Sequence, residues 1–357
     1  MTKCFNKVLA FFIAFALVAI SLSGGISFIT NATDTSTSQQ PDWKSHPEDF
    51  KLLAFTFDDG PSSNMPRYVD LFSKYEGAGT FFVRGISIKN DDSYSMMQSA
   101  IDAGWDIGNH GDNHLVATIG GVGGGEATYD QINADIVNLN TKLESNLKDR
   151  NGLPYKVKFY RPPNIKPTEN TFKVCTEQDL AVIWLKYDAL DWASNKTYND
   201  RYNVFKNGIG TWKDGDVILC HETGVVGAED TYKILEELLP EFYEAGYRFC
   251  SINEYIQMRG ISQYQLSGKL PIKNGNRNMV TNIIEVAREK ASCGDTNADY
   301  VINNKDAALL MQYINGWNVN IETESSDINV DSKINNKDYV MIMRYINNWD
   351  ITLGPAS

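Results

Sequence analysis

Two adjacent carboxylates are the first residues in this chain whose types and spacing suggest chemistry. In the run Thr56, Phe57, Asp58, Asp59, Gly60, Pro61 an apolar stretch ends in a Gly-Pro turn, which places Asp58 and Asp59 at the C-terminal edge of a strand. Side by side, the two repel each other when both are ionised, so a cation beside them is expected, either a metal or an arginine. Further along, His110 and His114 stand at HxxxH spacing just after a strand candidate. On one helical turn such residues lie about 5–6 Å apart, close enough to clasp one ion. Alone they are weak evidence, since two histidines on a loop are more often merely solvated. With Asp59 they form a set of two imidazoles and one carboxylate, a divalent-metal pattern. His221 ends the run Asp216 to Cys220, and strand alternation puts it on the face of Leu219, opposite Cys220. That leaves Cys220 to packing. His46 is read as solvated.

A second pattern asks for a harder cation. Asp295, Asn297, Asp299, Ile302, Asn303, Asn304, Lys305 and Asp306 recur with a period of 32 as Asp327, Asn329, Asp331, Ile334, Asn335, Asn336, Lys337 and Asp338. Oxygen side chains at loop positions 1, 3, 5 and 12, with a backbone carbonyl at position 7 (Val301 and Lys333), are what Ca²⁺ takes. The alternative is a pair of metal-free Asx turns. Two loops in register, each followed by an apolar helical run, favour two calcium sites. Position 6, normally Gly, is Tyr300 in one loop and Ser332 in the other.

The elements that must position these groups alternate in type. Strands are expected at Leu52 to Phe57, Gly79 to Val83, Asp106 to Asn109, Val157 to Arg161, Ala181 to Trp184, Asp216 to Cys220 and Tyr247 to Ser251. Helices are expected near Pro66 to Tyr75, Ser93 to Ala103, Tyr129 to Leu147 and Tyr232 to Ala245. This is an α/β order with a largely parallel sheet or barrel, in which chemistry gathers where strands end. Residues 263–291, rich in Ser, Gly, Pro and Asn, read as a linker with a short helix around Asn282 to Lys290, and a small all-α module follows over 292–354.

At the N-terminus, Lys3 and Lys7 precede the apolar run Val8 to Ile20, and small residues lead to Thr30, Asn31 and Ala32. This predicts a signal peptide over 1–32, a flexible leader over 33–47, and a secreted, extracellular product with no membrane segment after cleavage. The net charge of −12 excludes a nucleic-acid partner and is compatible with a neutral polysaccharide. Cys175, Cys220, Cys250 and Cys293 are too widely spaced to prescribe a disulfide pairing.

From about Lys51 to Met258 the chain resembles the polysaccharide deacetylases of carbohydrate esterase family 4, whose five motifs occur here in order. The resemblance implies a distorted (β/α) barrel for residues 48–262, with Asp58 as catalytic base and Asp59, His110 and His114 binding Zn²⁺, Co²⁺ or another divalent ion. It further implies that Arg161, in Arg161-Pro162-Pro163, holds Asp58, and that the Asn164 N–H supports the oxyanion. In the remaining motifs Asp191 would tune His221 as general acid, Trp192 would line the cleft, and Leu219 would shape the acetyl pocket. Two departures stand out: Gly111 occupies the place of a frequent Ser or Thr, and Asn164 that of a frequent aromatic. From about Cys293 to Leu353 the chain resembles type I dockerins with two EF-hand-like loops. That implies docking to the cohesin of a scaffoldin in a cellulosome-like complex, with Asn304, Lys305, Asn336 and Lys337 facing the cohesin. Deacetylation of acetylated xylan is the first expectation for the whole. N-deacetylation of chitin oligomers or peptidoglycan is the alternative within the family, and a noncatalytic carbohydrate-binding or scaffolding component is the alternative outside it.

Overall fold

The computed structural model describes residues 43–261, 266, 279–285, 293–297, 302–329, 331–347, 349 and 353. The expected signal peptide, the first part of the leader and most of the expected linker lie outside these residues, as do Asp299 and Val301 of the first calcium loop.

Among the described residues nine strands form one sheet, in the order β6-β7-β1-β2-β3-β4-β5-β9 with β8 pairing the start of β1. They are β1 (Lys51–Gly60), β2 (Thr80–Val83), β3 (Asp106–Asn109), β4 (Phe159–Tyr160), β5 (Ala181–Ile183), β6 (Tyr187–Asp188), β7 (Val217–His221), β8 (Tyr247–Phe249) and β9 (Met279–Val280). All the strand pairs are parallel. The crossovers are helices α1 (Met65–Ser73), α2 (Asp91–Asp102), α3 (Tyr129–Asn146), α4 (Glu169–Glu177), α5 (Tyr198–Gly208) and α6 (Ala228–Glu244), followed by α7 (Ile252–Met258). Central β1 is buried along nearly its whole length, as a parallel strand covered on both faces must be. Its Phe55 and Phe57 pack edge-on against Phe72.

The sequence expectations shift in three places. The HxxxH segment is not a helical turn but a loop, with positive φ at Gly111 and His114. The leader does not extend to residue 47: Trp43 is fully buried beside Leu52 and Tyr255, and Lys44 donates to Glu254 at 2.8 Å. The third shift concerns the expected linker. Met279 and Val280 pair with Val182 and Ile183 of β5, while Val217 N–H donates to Thr281 O at 3.1 Å and Ile283 N–H to Gly215 O at 2.8 Å. Residues 279–283 thus bridge β5 and the start of β7 and close the distorted barrel. Two polar-flanked strand residues carry no alternation signal, which hid this strand from the sequence.

The C-terminal module has helices α8 (Asn304–Ile314), α9 (Thr323–Ser326) and α10 (Asn336–Ile346) over a small core of Cys293, Ala307, Leu310, Ile328, Ile342 and Leu353. Cys175, Cys220 and Cys250 are buried thiols, and Cys293 is buried as well.

Candidate active site

Strand alternation would send neighbouring side chains to opposite faces, yet Asp58 and Asp59 both line one cleft. The cause is a bulge. The β1–β2 register shifts between Asp58 and Gly60, and Asp59 has φ 77°. The register of β1 with β7 sets Asp58 opposite His221, and that of β3 with β4 brings His110 beside Arg161. The cleft, about 510 Å³, lies at the C-terminal strand ends, as an α/β barrel requires.

Asp59, His110 and His114 present ligand atoms within 4.8 Å of one another. Asp59 Oδ1 lies 3.7 Å from His110 Nε2 and 3.5 Å from His114 Nε2, and it is buried without a hydrogen-bond partner among the described residues. A buried oxygen left unpaired between two imidazoles fits a cation. His110 Nδ1–H donates to Arg161 O at 2.7 Å, which leaves Nε2 with a lone pair toward Asp59. Burial pushes the His110 imidazole down to about 3, so it stays neutral as a ligand must. Arg84 Nη1 stands 3.5 Å from Asp59 Oδ1 as a flanking charge.

Asp58 sits beside this triad with His110 Nε2 3.6 Å from its Oδ2. Burial raises its pKa, opposed by Arg161, whose Nη1 donates to Asp58 Oδ1 at 2.8 Å. Arg161 is wholly buried and fully engaged. It also donates to Thr56 Oγ1 and to the Trp184 carbonyl, each at 2.7 Å, and lies over the Phe82 ring. Across the cleft, His221 Nδ1–H donates to Asp191 Oδ1 at 2.7 Å, while His221 N–H and Thr231 Oγ1 donate to Asp191 Oδ2 at 2.8 and 3.1 Å. Burial alone would lower the His221 pKa. The hydrogen bond and charge of Asp191, with Asp58 and Asp59 beyond it, outweigh burial and hold it at about 9, so the ring carries a proton at neutral pH.

Asn164, Trp192 and Leu219 all line the same cleft. Asn164 has φ 54°, and the exposed Trp192 ring is braced by Nε1–H donating to Asp188 Oδ2 at 2.9 Å. Thr56 and Thr231 were not singled out from the sequence. Thr56 is a buried hydroxyl inside an apolar strand, and that break in pattern was the available signal, whereas Thr231, set among Glu229, Asp230 and Lys233, carried none.

In the second calcium loop, Asp327 accepts from the N–H groups of Asp331 and Ser332, Asn329 from that of Asp331, and Asp331 from that of Lys333. Ser332 takes the positive φ, 63°, that Gly usually supplies. The oxygen side chains expected of a Ca²⁺ loop are thus turned toward the loop's own N–H groups, and Asp327, Asp331 and Asp338 do not gather their ligand atoms as Asp59, His110 and His114 do. Asp306 and Asp338 are buried and also close capping boxes with Asn303 and Asn335, at the starts of α8 and α10. In the first loop Asp295 is buried and Asn297 donates its N–H to Asp306. Asn304, Lys305, Asn336 and Lys337 are exposed on the first turns of α8 and α10.

Comparison with known families matches residues 45–183 to the polysaccharide deacetylase model and residues 293–347 to the type I dockerin model. The chain carries a polysaccharide deacetylase domain and a type I dockerin domain. Its deacetylase domain is 29% identical over 216 residues to a peptidoglycan-N-acetylglucosamine deacetylase of Bacillus cereus, covering 60% of this chain and 92% of that protein. It is also 29% identical over 248 residues to a bifunctional xylanase/deacetylase of Pseudobutyrivibrio xylanivorans, covering 69% of this chain but 36% of that protein. Among solved structures it is similar to a family 4 acetyl xylan esterase from Clostridium thermocellum in complex with a cobalt ion, at 25% identity and TM-score 0.51, covering 65% of this chain and 98% of that one. The family match and these likenesses support a hydrolytic carbohydrate esterase or deacetylase. Asp188, Trp192, Leu219 and His221 lie beyond the 45–183 match, yet the fold delivers them to the same cleft.

Proposed function

We propose that this chain is a secreted, metal-dependent deacetylase that removes O-acetyl groups from acetylated xylan while its dockerin holds it on a cohesin. The observation that carries the reading is the pairing of two carboxylates with two different neighbours: Asp59 faces His110 and His114, and Asp58 faces Arg161. Asp59, His110 and His114 would hold Zn²⁺ or a similar ion. When bound, such an ion supplies an acidified water and polarises the acetyl carbonyl.

The protein's own groups do the rest. Asp58, held by Arg161 on Oδ1, accepts the proton of the attacking water at Oδ2. The Asn164 N–H supports the developing oxyanion. His221, holding its proton through Asp191, delivers it from Nε2 to the departing sugar oxygen. Leu219 lines the acetyl pocket, and Trp192 offers a ring face to a sugar.

The dockerin, the xylanase-linked relative and the acetyl xylan esterase likeness support xylan as substrate. Similarity to a peptidoglycan deacetylase supports a second reading, removal of N-acetyl groups from peptidoglycan or chitin oligomers. Acetate release decides between them. The chelated and Zn²⁺-reloaded protein is expected to release acetate from acetylxylan; release from the N-acetylated polymers alone would overturn the substrate, and silence on all of them the activity.

A further inference from the structure

The loop carrying both histidines is held from outside itself. Asp135, on α3, accepts the Asn113 N–H on Oδ1 at 2.7 Å and the Leu115 N–H on Oδ2 at 3.3 Å, so one carboxylate brackets His114 from both sides. The Asn113 side-chain amide adds a contact to Oδ1 at 3.3 Å, and Asp112 N–H donates to the Asp135 carbonyl at 3.0 Å. One turn on, Asn109 Nδ2 donates to Ile136 O and Asn140 Oδ1 at 2.9 and 2.7 Å, while Asn109 Oδ1 accepts Gly111 N–H at 2.7 Å. Asp135 is buried. A Cβ at Gly111 would lie 2.3 Å from Asp135 Oδ2, so the carboxylate fills the space that a side chain at residue 111 would take.

We propose that Asp135 is a positioning residue for the metal centre: seated in the space left by Gly111, its carboxylate fixes the loop so that His110 and His114 both face Asp59. The Gly111 departure is thereby answered, since an acceptor reaching in from α3 orders the loop. This inference rests on the reading of Asp59, His110 and His114 as metal ligands and extends it. Removing the acceptor leaves two backbone N–H groups beside His114 without their charged partner.

The test uses the full chain saturated with Ca²⁺, so that the dockerin loops do not take the probe ion. Co²⁺ and Zn²⁺ affinity is measured by competition with a chromophoric chelator, and the visible Co²⁺ spectrum is recorded. The wild type should bind one ion at a site lost in His114→Ala; if it does not, the metal reading itself fails. Given that site, Asp135→Asn, in which an amide N–H faces a loop N–H, should bind roughly 10- to 100-fold more weakly with a changed Co²⁺ spectrum. Gly111→Ala, which displaces the carboxylate, should do the same, and the double variant should be little worse than either single one because both act through one contact. Wild-type affinity and spectrum in Asp135→Asn, or strictly additive losses in the double variant, would overturn the proposal. Should Asp135→Asn not fold, Gly111→Ala decides: unchanged affinity and spectrum there overturn it too.

Discussion

In the second calcium loop each oxygen side chain is held by backbone N–H groups of the same short loop, whereas Asp59, His110 and His114 meet only because three strands share a register. The calcium loops are a local solution. Their ligand geometry is written in consecutive residues and repeated whole at a period of 32. The proposed catalytic centre is a long-range solution, and the groups bonded to it (Arg161 to Asp58, Asp135 to the histidine loop, Asp191 to His221) come from other elements. A local site can be duplicated intact, whereas a long-range site fails when any distant support is removed.

The comparison breaks most sharply at Asp58. Asp58→Asn is expected to lower kcat by on the order of 10² to 10⁴ while zinc stoichiometry is retained; activity near wild type would remove Asp58 as base. Selective chelation separates the regions next. A calcium-selective chelator should abolish cohesin capture in a pull-down yet leave acetate release intact, and a zinc-selective chelator in excess Ca²⁺ should do the reverse. Arg161→Met strands a buried carboxylate and is expected to lower unfolding free energy by about 3–5 kcal/mol in urea melts, far more than any exposed dockerin substitution.

A pH profile of kcat/KM sharpens the Asp191 support. His221 must carry its proton to act as an acid, and it loses that proton as pH rises through about 9. In Asp191→Asn the raising influence is gone, so the alkaline limb should move to lower pH. An unmoved limb would separate His221 from the acid role. The smallest effect belongs to the local site. Asp338→Ala removes one capping box and should cost about 1 kcal/mol in calcium-free melts, with a weaker calcium response added on top.

What the sequence made legible follows the same division. Asp58 and Asp59 could be read because an apolar run ending in Gly60-Pro61 names its own edge, and the calcium loops because they repeat. The strand-end placement of His221 and its face, shared with Leu219, also followed from alternation. The bulge that turns both carboxylates into the cleft did not, since it depends on pairing with β2. Nor did the loop form of the HxxxH segment, which depends on Asp135 in another element. Helix α5 escaped notice because its residues Tyr198 to Gly208 are mostly polar and bury only Arg201, Phe205 and Gly208. Its N-cap, Thr197, was the one local signal.

Residues 279–283 give the module a boundary that composition places wrongly. By composition the deacetylase ends near residue 262; by backbone pairing it ends only after its last short strand has tied β5 to the start of β7. A recombination event, natural or designed, that exchanged the dockerin at residue 262 would deliver a catalytic domain with two open strand edges, which invite pairing with other chains. Joined after Glu285, the same exchange would hand over a closed barrel. The portable unit in this chain is thus longer than its recognisable motifs, and the segment that looks expendable is the one its neighbours cannot lose.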